Sequence, residues 1–530
     1  MTKLTQVFVI GGLIRFILPS IVPKIVEILA STVEISTPIN SFKSLQEAFY
    51  YLDNGINLYD GGINTNPPLY VVLMSLINNL PFKQIWFNLV FTVIDLIIAW
   101  RLIAINKWYN KYNLERSGKH YTGFNDDFIA SFYLFNPLIL LTNLCHSSLP
   151  FSWLFLIESI SQVVLCYNYE RAMILLAISS YLTFTPIYLF IPILAIAHSL
   201  NLHPPTKIYV IGGGIFYMAI TFLMFASFAI TASWHFAFTC YGTIIFFDKI
   251  SPNIGLWWYL FTEMFQFFTP FYVGIFNLYH FIFIIPISIR LFEYKPKDPL
   301  DDIPLSRLVI GPEGKLLAID ENGYGTEIKN GLANETNTDI TTELIDTNTN
   351  VNTTGIDTNT TANTTSIETN TTSTTSTNNT TTSKSSGNAT TIIKTKTPID
   401  YTQVNGDSFL GFVLCYFWLS FSKSYPTIGD LGFGLSLIPI FKSTVMPHCR
   451  YPLISGLVLL VCLLLSPIFY YCWIVLGNGN SNFFYSINLI WGVAHALIII
   501  DLFWAQLTLD YAKLHKLTPQ QASKLRLTQI

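Results

Sequence analysis

Between residues 452 and 476 the chain reads PLISGLVLLVCLLLSPIFYYCWIVL, without one charged side chain. A helix of about 20 apolar residues is enough to cross the hydrocarbon core of a bilayer. Runs of this kind recur along the 530-residue sequence. In hydrocarbon every backbone N–H and C=O must be bonded internally, so repeated runs point to helices that satisfy their own backbones. Composition agrees. Charged residues make up 12% of the chain and mean hydropathy is +0.45, against about 25% charged in soluble domains. Aromatic residues reach 15% and many stand near the ends of apolar runs, as in membrane-interface belts. The expectation is an all-α polytopic membrane protein with roughly 10–12 transmembrane helices, plus lumenal re-entrant or interfacial helices.

A net charge of −3 with no basic stripe argues against nucleic acid as a partner. Seven cysteines are scattered, mostly among apolar residues, without CxxC or Cys/His spacing. They read as core fillers, and no metal or cofactor is expected. The N-terminal run carries Arg15 and lacks a small-x-small cleavage pattern, so it reads as a retained first span.

Lysine and arginine orient the spans, because they concentrate in cytosolic loops. The basic loop 101–126 is assigned to the cytosol, and tracing outward puts both termini there. Spans are expected near 85–105, 128–145, 150–168, 172–200 (broken at Thr185-Pro186), 207–231 and 271–291, then 406–422, 427–441, 452–476 and 486–508. The stretch 254–269 reads as interfacial or re-entrant. The division is an N-terminal bundle (1–295), a cytosolic insert (296–404), a C-terminal bundle (405–510) and a cytosolic tail (511–530). Within the insert, 330–395 is Asn/Thr-rich low complexity that cannot bury enough apolar surface to order, so the insert is expected to be disordered.

Four polar, non-basic segments then share the non-cytosolic face: 44–70, 246–265, 423–432 and 477–489. Irregular polar backbone at membrane depth needs protein or a watery cavity to receive it, so their coincidence points to one shared cavity. In the first, Leu45, Phe49 and Leu52 have the spacing of an amphipathic helix, and Asn54-Gly55 and Asp60-Gly61-Gly62 mark turns. Asp53 and Asp60 have two readings, an acid–base pair or turn and cap residues. In the second, Ser251-Pro252-Asn253 precedes Trp257, Trp258 and Tyr259, with Glu263 beyond; it is an interfacial anchor or the wall of a headgroup site. In the third, Lys423 and Asp430 flank a Pro/Gly hinge and have the spacing to pair. In the fourth, Asn480 and Asn482 open a span, where free N–H groups and the helix dipole favour anions, and Phe483, Phe484 and Tyr485 follow as an apolar floor. Asp95 and Asp501 lie inside apolar runs, where a carboxylate is functional or bonds a neighbouring helix.

At these residues the chain resembles a known family. SPNIGLWWYLFTEMF, FSKSYPTIGD and GNSNFFYSINL resemble stretches of the U subunit of the glycosylphosphatidylinositol (GPI) transamidase, and NGINLYDGGINTNPPL resembles its first lumenal loop. The likeness runs over 1–295 and 405–515 and leaves the insert out. It implies a non-catalytic subunit of an endoplasmic-reticulum complex that attaches GPI to proteins. The implied partners are a cysteine-protease-like catalytic subunit, lumenal and membrane accessory subunits, and the GPI lipid. The amides that match the family's are Asn480 and Asn482, and the full GPI-binding set expected here is Asn480, Asn482, Phe483, Tyr485, Asn253, Trp257, Glu263, Tyr425, Asp430, Asp53 and Tyr59.

The family is also similar to membrane mannosyltransferases that use dolichol-phosphate-mannose, which implies a GT-C-like scaffold and is the alternative function. Those enzymes carry an Asp-x-Asp type pair after the first span, where this chain reads Val33-Glu34-Ile35-Ser36-Thr37-Pro38. A lone Glu34 retains the chemistry of a general base, yet the missing partner fits a scaffold that keeps lipid binding without catalysis. A transporter would repeat polar residues through several spans rather than gather them at one face.

Overall fold

The computed structural model describes residues 2–117, 123–200, 204–293 and 407–515, with 517 and 521 singly and three strands between 308 and 327. Residues 1–296 and 401–530 form one compact unit and 297–400 a second. The first unit is helical. Its helices are α1 (Lys3–Ile21), α2 (Lys24–Ala30), α3 (Phe42–Asp53), α4 (Pro68–Asn78), α5 (Lys83–Ser117), α6 (Asp126–Leu134), α7 (Pro137–Leu144), α8 (Leu149–Val164) and α9 (Tyr169–Leu182). There follow α10 (Phe190–Ser199), α11 (Pro205–Thr231), α12 (His235–Phe246), α13 (Trp257–Glu263) and α14 (Thr269–Glu293). Past the insert come α15 (Ser408–Ser422), α16 (Ile428–Leu437), α17 (Pro452–Tyr470) and α18 (Ser481–Leu514).

Among the described residues six of these, α1, α5, α11, α14, α17 and α18, are long and apolar enough to cross a bilayer. The chain is a multi-pass membrane protein. The count is below the ten to twelve full spans expected, because several apolar runs are bent or cut short by proline. Pro137 separates α6 from α7 at a 53° bend, and counting that pair as one span makes seven. Pro186 opens a 3₁₀ turn between α9 and α10, where the break was expected, and Pro439 sits in the turn that ends α16. α8 and α15, also expected as spans, have only 16 and 15 residues.

Polar groups inside the bundle find partners on neighbouring helices. Arg15 of α1 pairs with Asp95 of α5, and Asp95 also accepts from Tyr133 Oη at 3.0 Å. Asp501 of α18 accepts the backbone N–H groups of Arg450 and Tyr451 at 2.8 and 3.0 Å, capping the start of α17. Both intramembrane acids therefore bond neighbouring segments. Glycine lets α16 approach α7: a Cβ on Gly432 would stand 2.7 Å from Leu138 Cβ.

Helices from both sides of the insert share one core, as in the stacking of Trp153 on Phe433. Where the chain re-enters, Asp407 caps α15 through the N–H groups of Phe409 and Leu410 and accepts from Tyr109 Oη of α5. This end of the bundle holds the basic stretch 101–126, two of whose cations are paired. Arg101 pairs with Glu158 and Lys107 with Asp126, and Lys442 lies 4.4 Å over the Phe124 ring. The opposite end gathers the C-terminus of α1, the start of α5, the loop after α2 and the start of α18. There Ile39, Tyr425 and Phe484 join one aromatic cluster.

In the second unit, β1 (Leu308–Ile310), β2 (Leu316–Ile319) and β3 (Gly325–Glu327) form an antiparallel meander. Strands thus stand at 308–310, 316–319 and 325–327, within an insert expected to be disordered, where the sequence is more apolar (Leu308, Ile310, Leu316, Ile319) than the Asn/Thr run. The expectation for 330–395 lies outside the described residues.

Candidate functional site at the aromatic end

The segment 477–489 begins with a turn that only glycine makes easily, Gly477 at φ +65°. Asn480 then caps α18, its Oδ1 accepting the Asn482 N–H at 3.1 Å. Asn482 Oδ1 accepts from the Tyr259 hydroxyl of α13. Each asparagine thus uses its oxygen inside the protein, and both side chains are exposed, leaving the amide N–H groups as outward donors. Tyr485 stacks on Tyr259 with centroids 4.3 Å apart. Behind them Phe484 is fully buried and meets Trp258, which stacks on Trp473 at 5.9 Å. Phe483 turns outward, 54% exposed. The double asparagine is therefore more than a cap: one residue starts the helix and the other ties it to α13.

The remaining expected residues divide by their surroundings. Trp257 is half-buried, edge-on to Phe276 at 4.5 Å, and Glu263 is exposed at the end of α13. Asn253 is buried and closes a tight turn, accepting the Gly255 N–H at 2.8 Å and donating to Ser251 and Ser424 carbonyls. Tyr425 is buried and donates to the Lys249 carbonyl at 2.8 Å. Asp430 is buried, pairs with Lys423 at 2.6 Å and accepts both N–H and O–H of Thr427, so that it completes a capping box at the start of α16. Tyr59 is buried and donates to the Asn66 carbonyl at 2.8 Å. Hence Asn253, Tyr425, Asp430 and Tyr59 turn their polar atoms inward as braces, whereas Asn480, Asn482, Phe483 and Glu263 are exposed and Tyr485 is half-buried against Tyr259.

The four polar segments do come together. Asn253 and Gly255 meet 424–426, where a Cβ on Gly255 would lie 2.7 Å from Pro426. Lys249 Nζ donates to the Gly62 carbonyl of the first loop. That loop is fastened in turn, with Thr65 Oγ1 donating to the Pro38 carbonyl at 2.7 Å. Asp53 stands apart: it ends α3, exposed, on the wall of a separate cavity. Asp60 accepts from Asn57 Nδ2 at 2.8 Å, a turn contact. The two aspartates are not a joined pair.

Two more buried residues matter here: Asn488, which the sequence did not single out, and Glu34, which it marked as a lone acid. Asn488, fully buried one turn beyond Tyr485, donates from Nδ2 to the carbonyls of Asn253 (2.7 Å) and Gly255 (3.2 Å), fastening α18 to the turn before α13. A polar residue inside an apolar helix phase was the available signal. Glu34 is buried, accepts from Ser466 Oγ at 2.6 Å, and through its main-chain oxygen accepts the Ile428 N–H. Burial raises its pKa above the usual carboxylate value. Chemically, the outward face offers neutral N–H donors at a helix start beside stacked phenol rings. That suits a phosphate or hydroxyl-rich head whose tails remain in the bilayer.

Comparison with known proteins covers nearly the whole chain. The family described as GPI transamidase subunit PIG-U matches residues 9–310 and 399–491. The GPI transamidase component GAB1 of Saccharomyces cerevisiae is 28% identical over 500 residues, covering 94% of this chain and 93% of its own. Its homolog in Schizosaccharomyces pombe is 24% identical, covering 93% and 90%. The GPI-anchor transamidase component PIGU of Homo sapiens is 22% identical over 516 residues, covering 93% and 91%. On the breadth of that match, this chain belongs to the family of the GPI transamidase subunit PIG-U.

Proposed function

We propose that the chain serves as a non-catalytic subunit of a GPI transamidase in the endoplasmic-reticulum membrane, holding the GPI head and supporting assembly of the complex. In this reading the aromatic end faces the lumen, the end with the stretch 101–126 and both termini face the cytosol, and protease chemistry resides in a partner subunit. The observation that carries it is the pair of outward amides on Asn480 and Asn482, set beside the Tyr259–Tyr485 stack. Glu34 supports the absence of transferase chemistry: its carboxylate is buried against Ser466, and Ser36 stands where an acidic pair would need its second member.

The test is GPI attachment to a reporter in cells depleted of the native protein and supplied with Asn480→Ala/Asn482→Ala. Co-purification reads assembly and lipid analysis reads precursors. The expected result is an assembled complex, complete GPI precursors accumulating, and reduced attachment. Accumulation of mannose-deficient precursors would replace this reading with the mannosyltransferase one. Normal attachment would reduce the segment to a capped helix start.

A further inference from the structure

A cavity of about 330 Å³ lies at the same end of the bundle, between α1, α2, α3 and the start of α5, and shares no lining residue with the Asn480 segment. Its floor is aromatic: Phe42, Phe49 and Phe87 are there with the imidazole of His146. Its rim is charged. Glu27 and Asp53 supply two carboxylates, and Lys83 one ammonium that donates to Asn78 Oδ1 at 3.1 Å. Exposed apolar side chains adjoin the lining in sequence: Ile21 stands between Pro19 and Pro23, Ile28 follows Glu27, Phe82 precedes Lys83 and Trp86 precedes Phe87. Such a collar sets the mouth at the level of the lipid headgroups.

The protonation of the floor follows from a chain of hydrogen bonds. Ser20 donates to the Phe16 carbonyl at 2.6 Å, so its oxygen is the acceptor for Asn88 Nδ2 at 2.9 Å. Asn88 Oδ1 therefore faces His146 Nε2, 2.9 Å away, and that nitrogen must carry the proton. Nδ1 is left with a lone pair and, among the described residues, no hydrogen-bond partner. His146 is buried, and that burial pushes its pKa down to about 4, so the ring is neutral. The cavity thus presents carboxylates, a ring-nitrogen lone pair and ring faces, with the amides of Gln46 and Gln84 and the Lys83 ammonium also in its lining.

We propose that this cavity binds the head of a phospholipid that bears a primary ammonium, the ammonium directed to Glu27, Asp53 and the aromatic floor and the phosphate to Lys83. Ring faces attract a cation, and carboxylates strengthen the attraction. A primary ammonium donates three hydrogen bonds to such acceptors, whereas a trimethylammonium donates none, and a head with an added carboxylate meets two others at the rim. The site is independent of the Asn480 segment and stands or falls separately from the function proposed above.

The full chain, reconstituted in nanodiscs of equal phosphatidylethanolamine and phosphatidylcholine, is released and its retained lipids counted by native mass spectrometry. The expected result is several-fold enrichment of phosphatidylethanolamine. Glu27→Gln/Asp53→Asn, at exposed positions where folding is spared, brings the ratio to that of the bulk mixture. Lys83→Ala lowers retention of both lipids. Soluble O-phosphoethanolamine added to the wild type separates the sources: loss of enrichment shows that the head suffices, and persistence assigns recognition to the intact lipid. Retention at the bulk ratio by the wild type, or enrichment unchanged in Glu27→Gln/Asp53→Asn, overturns the proposal.

Discussion

The guanidinium of Arg15 lies 2.7 Å from the carboxylate of Asp95, both side chains wholly buried between α1 and α5. The same guanidinium donates to the carbonyls of Leu134 and Gly11, so one cation ties three helical segments. Removing one partner leaves an uncompensated charge in a low-dielectric interior, which costs about 3–5 kcal/mol, whereas replacing both with apolar residues is often near neutral. Arg15→Met and Asp95→Leu should each lower the thermal midpoint of the detergent-solubilised protein, and the double variant should recover most of the loss. Fluorescence-detected size exclusion after heating measures this; equal losses in all three would show that the pair is not coupled.

Gly432 predicts a steric result. With Leu138 Cβ 2.7 Å from where its own Cβ would stand, Gly432→Val must push α16 off α7. Overpacking of this kind costs about 1–3 kcal/mol. Gly214, with nothing within 4 Å of its Cβ position, is the control: Gly214→Ala on α11 should leave the thermal midpoint unchanged or raised.

These two cases show what was legible in the sequence. Apolar runs announced the helices, and Pro186 announced a break, because both signals are local. The Asn54-Gly55 and Asp60-Gly61-Gly62 turns were equally plain, with Gly55 and Gly62 both at φ +66°. Long-range partners were not. Arg15 appeared only as an interruption of a span, since nothing near it in sequence reveals Asp95 eighty residues away. The four polar segments could be grouped because topology places their ends on one side. Which of their polar atoms turn inward could not be read, because Asn253 and Asn480 are the same residue type in similar turn-forming company. His146 escaped notice for the same reason: its role comes from Asn88 and three phenylalanines on other elements.

His146 gives a pH dependence with a definite sign. Burial lowers its folded-state pKa from 6.5 to about 4, so between those values the unfolded chain binds a proton that the folded one does not. Stability from this group is therefore complete above pH 6.5 and declines as pH falls toward 4, by roughly 3 kcal/mol over the window. His146→Asn should flatten that part of the stability profile. Glu27, Asp53 and Lys83 line the same cavity and stay constant in the comparison. Thermal midpoints at stepped pH values for both proteins test it; identical slopes would remove His146 as the cause.

Asn488 separates scaffold from site. Its amide bridges the Asn253 and Gly255 carbonyls in a fully buried position, and loss of a buried donor leaves those acceptors unmet at a cost of about 1–3 kcal/mol. Asn488→Leu should therefore lower the thermal midpoint and loosen the turn that sets Trp257 and Tyr259. Asn480→Ala/Asn482→Ala removes a cap worth about 1 kcal/mol and the exposed Tyr259–Asn482 bond, and should lower it less, because water replaces the lost partners at an exposed helix start. The two variants then differ in kind. With GPI attachment measured below either midpoint, the Asn480/Asn482 variant should be impaired although folded, and the Asn488 variant should recover attachment when its expression temperature is lowered. If lowering the temperature rescued both alike, the outward amides would be scaffold as well, and the binding role proposed for them would fall.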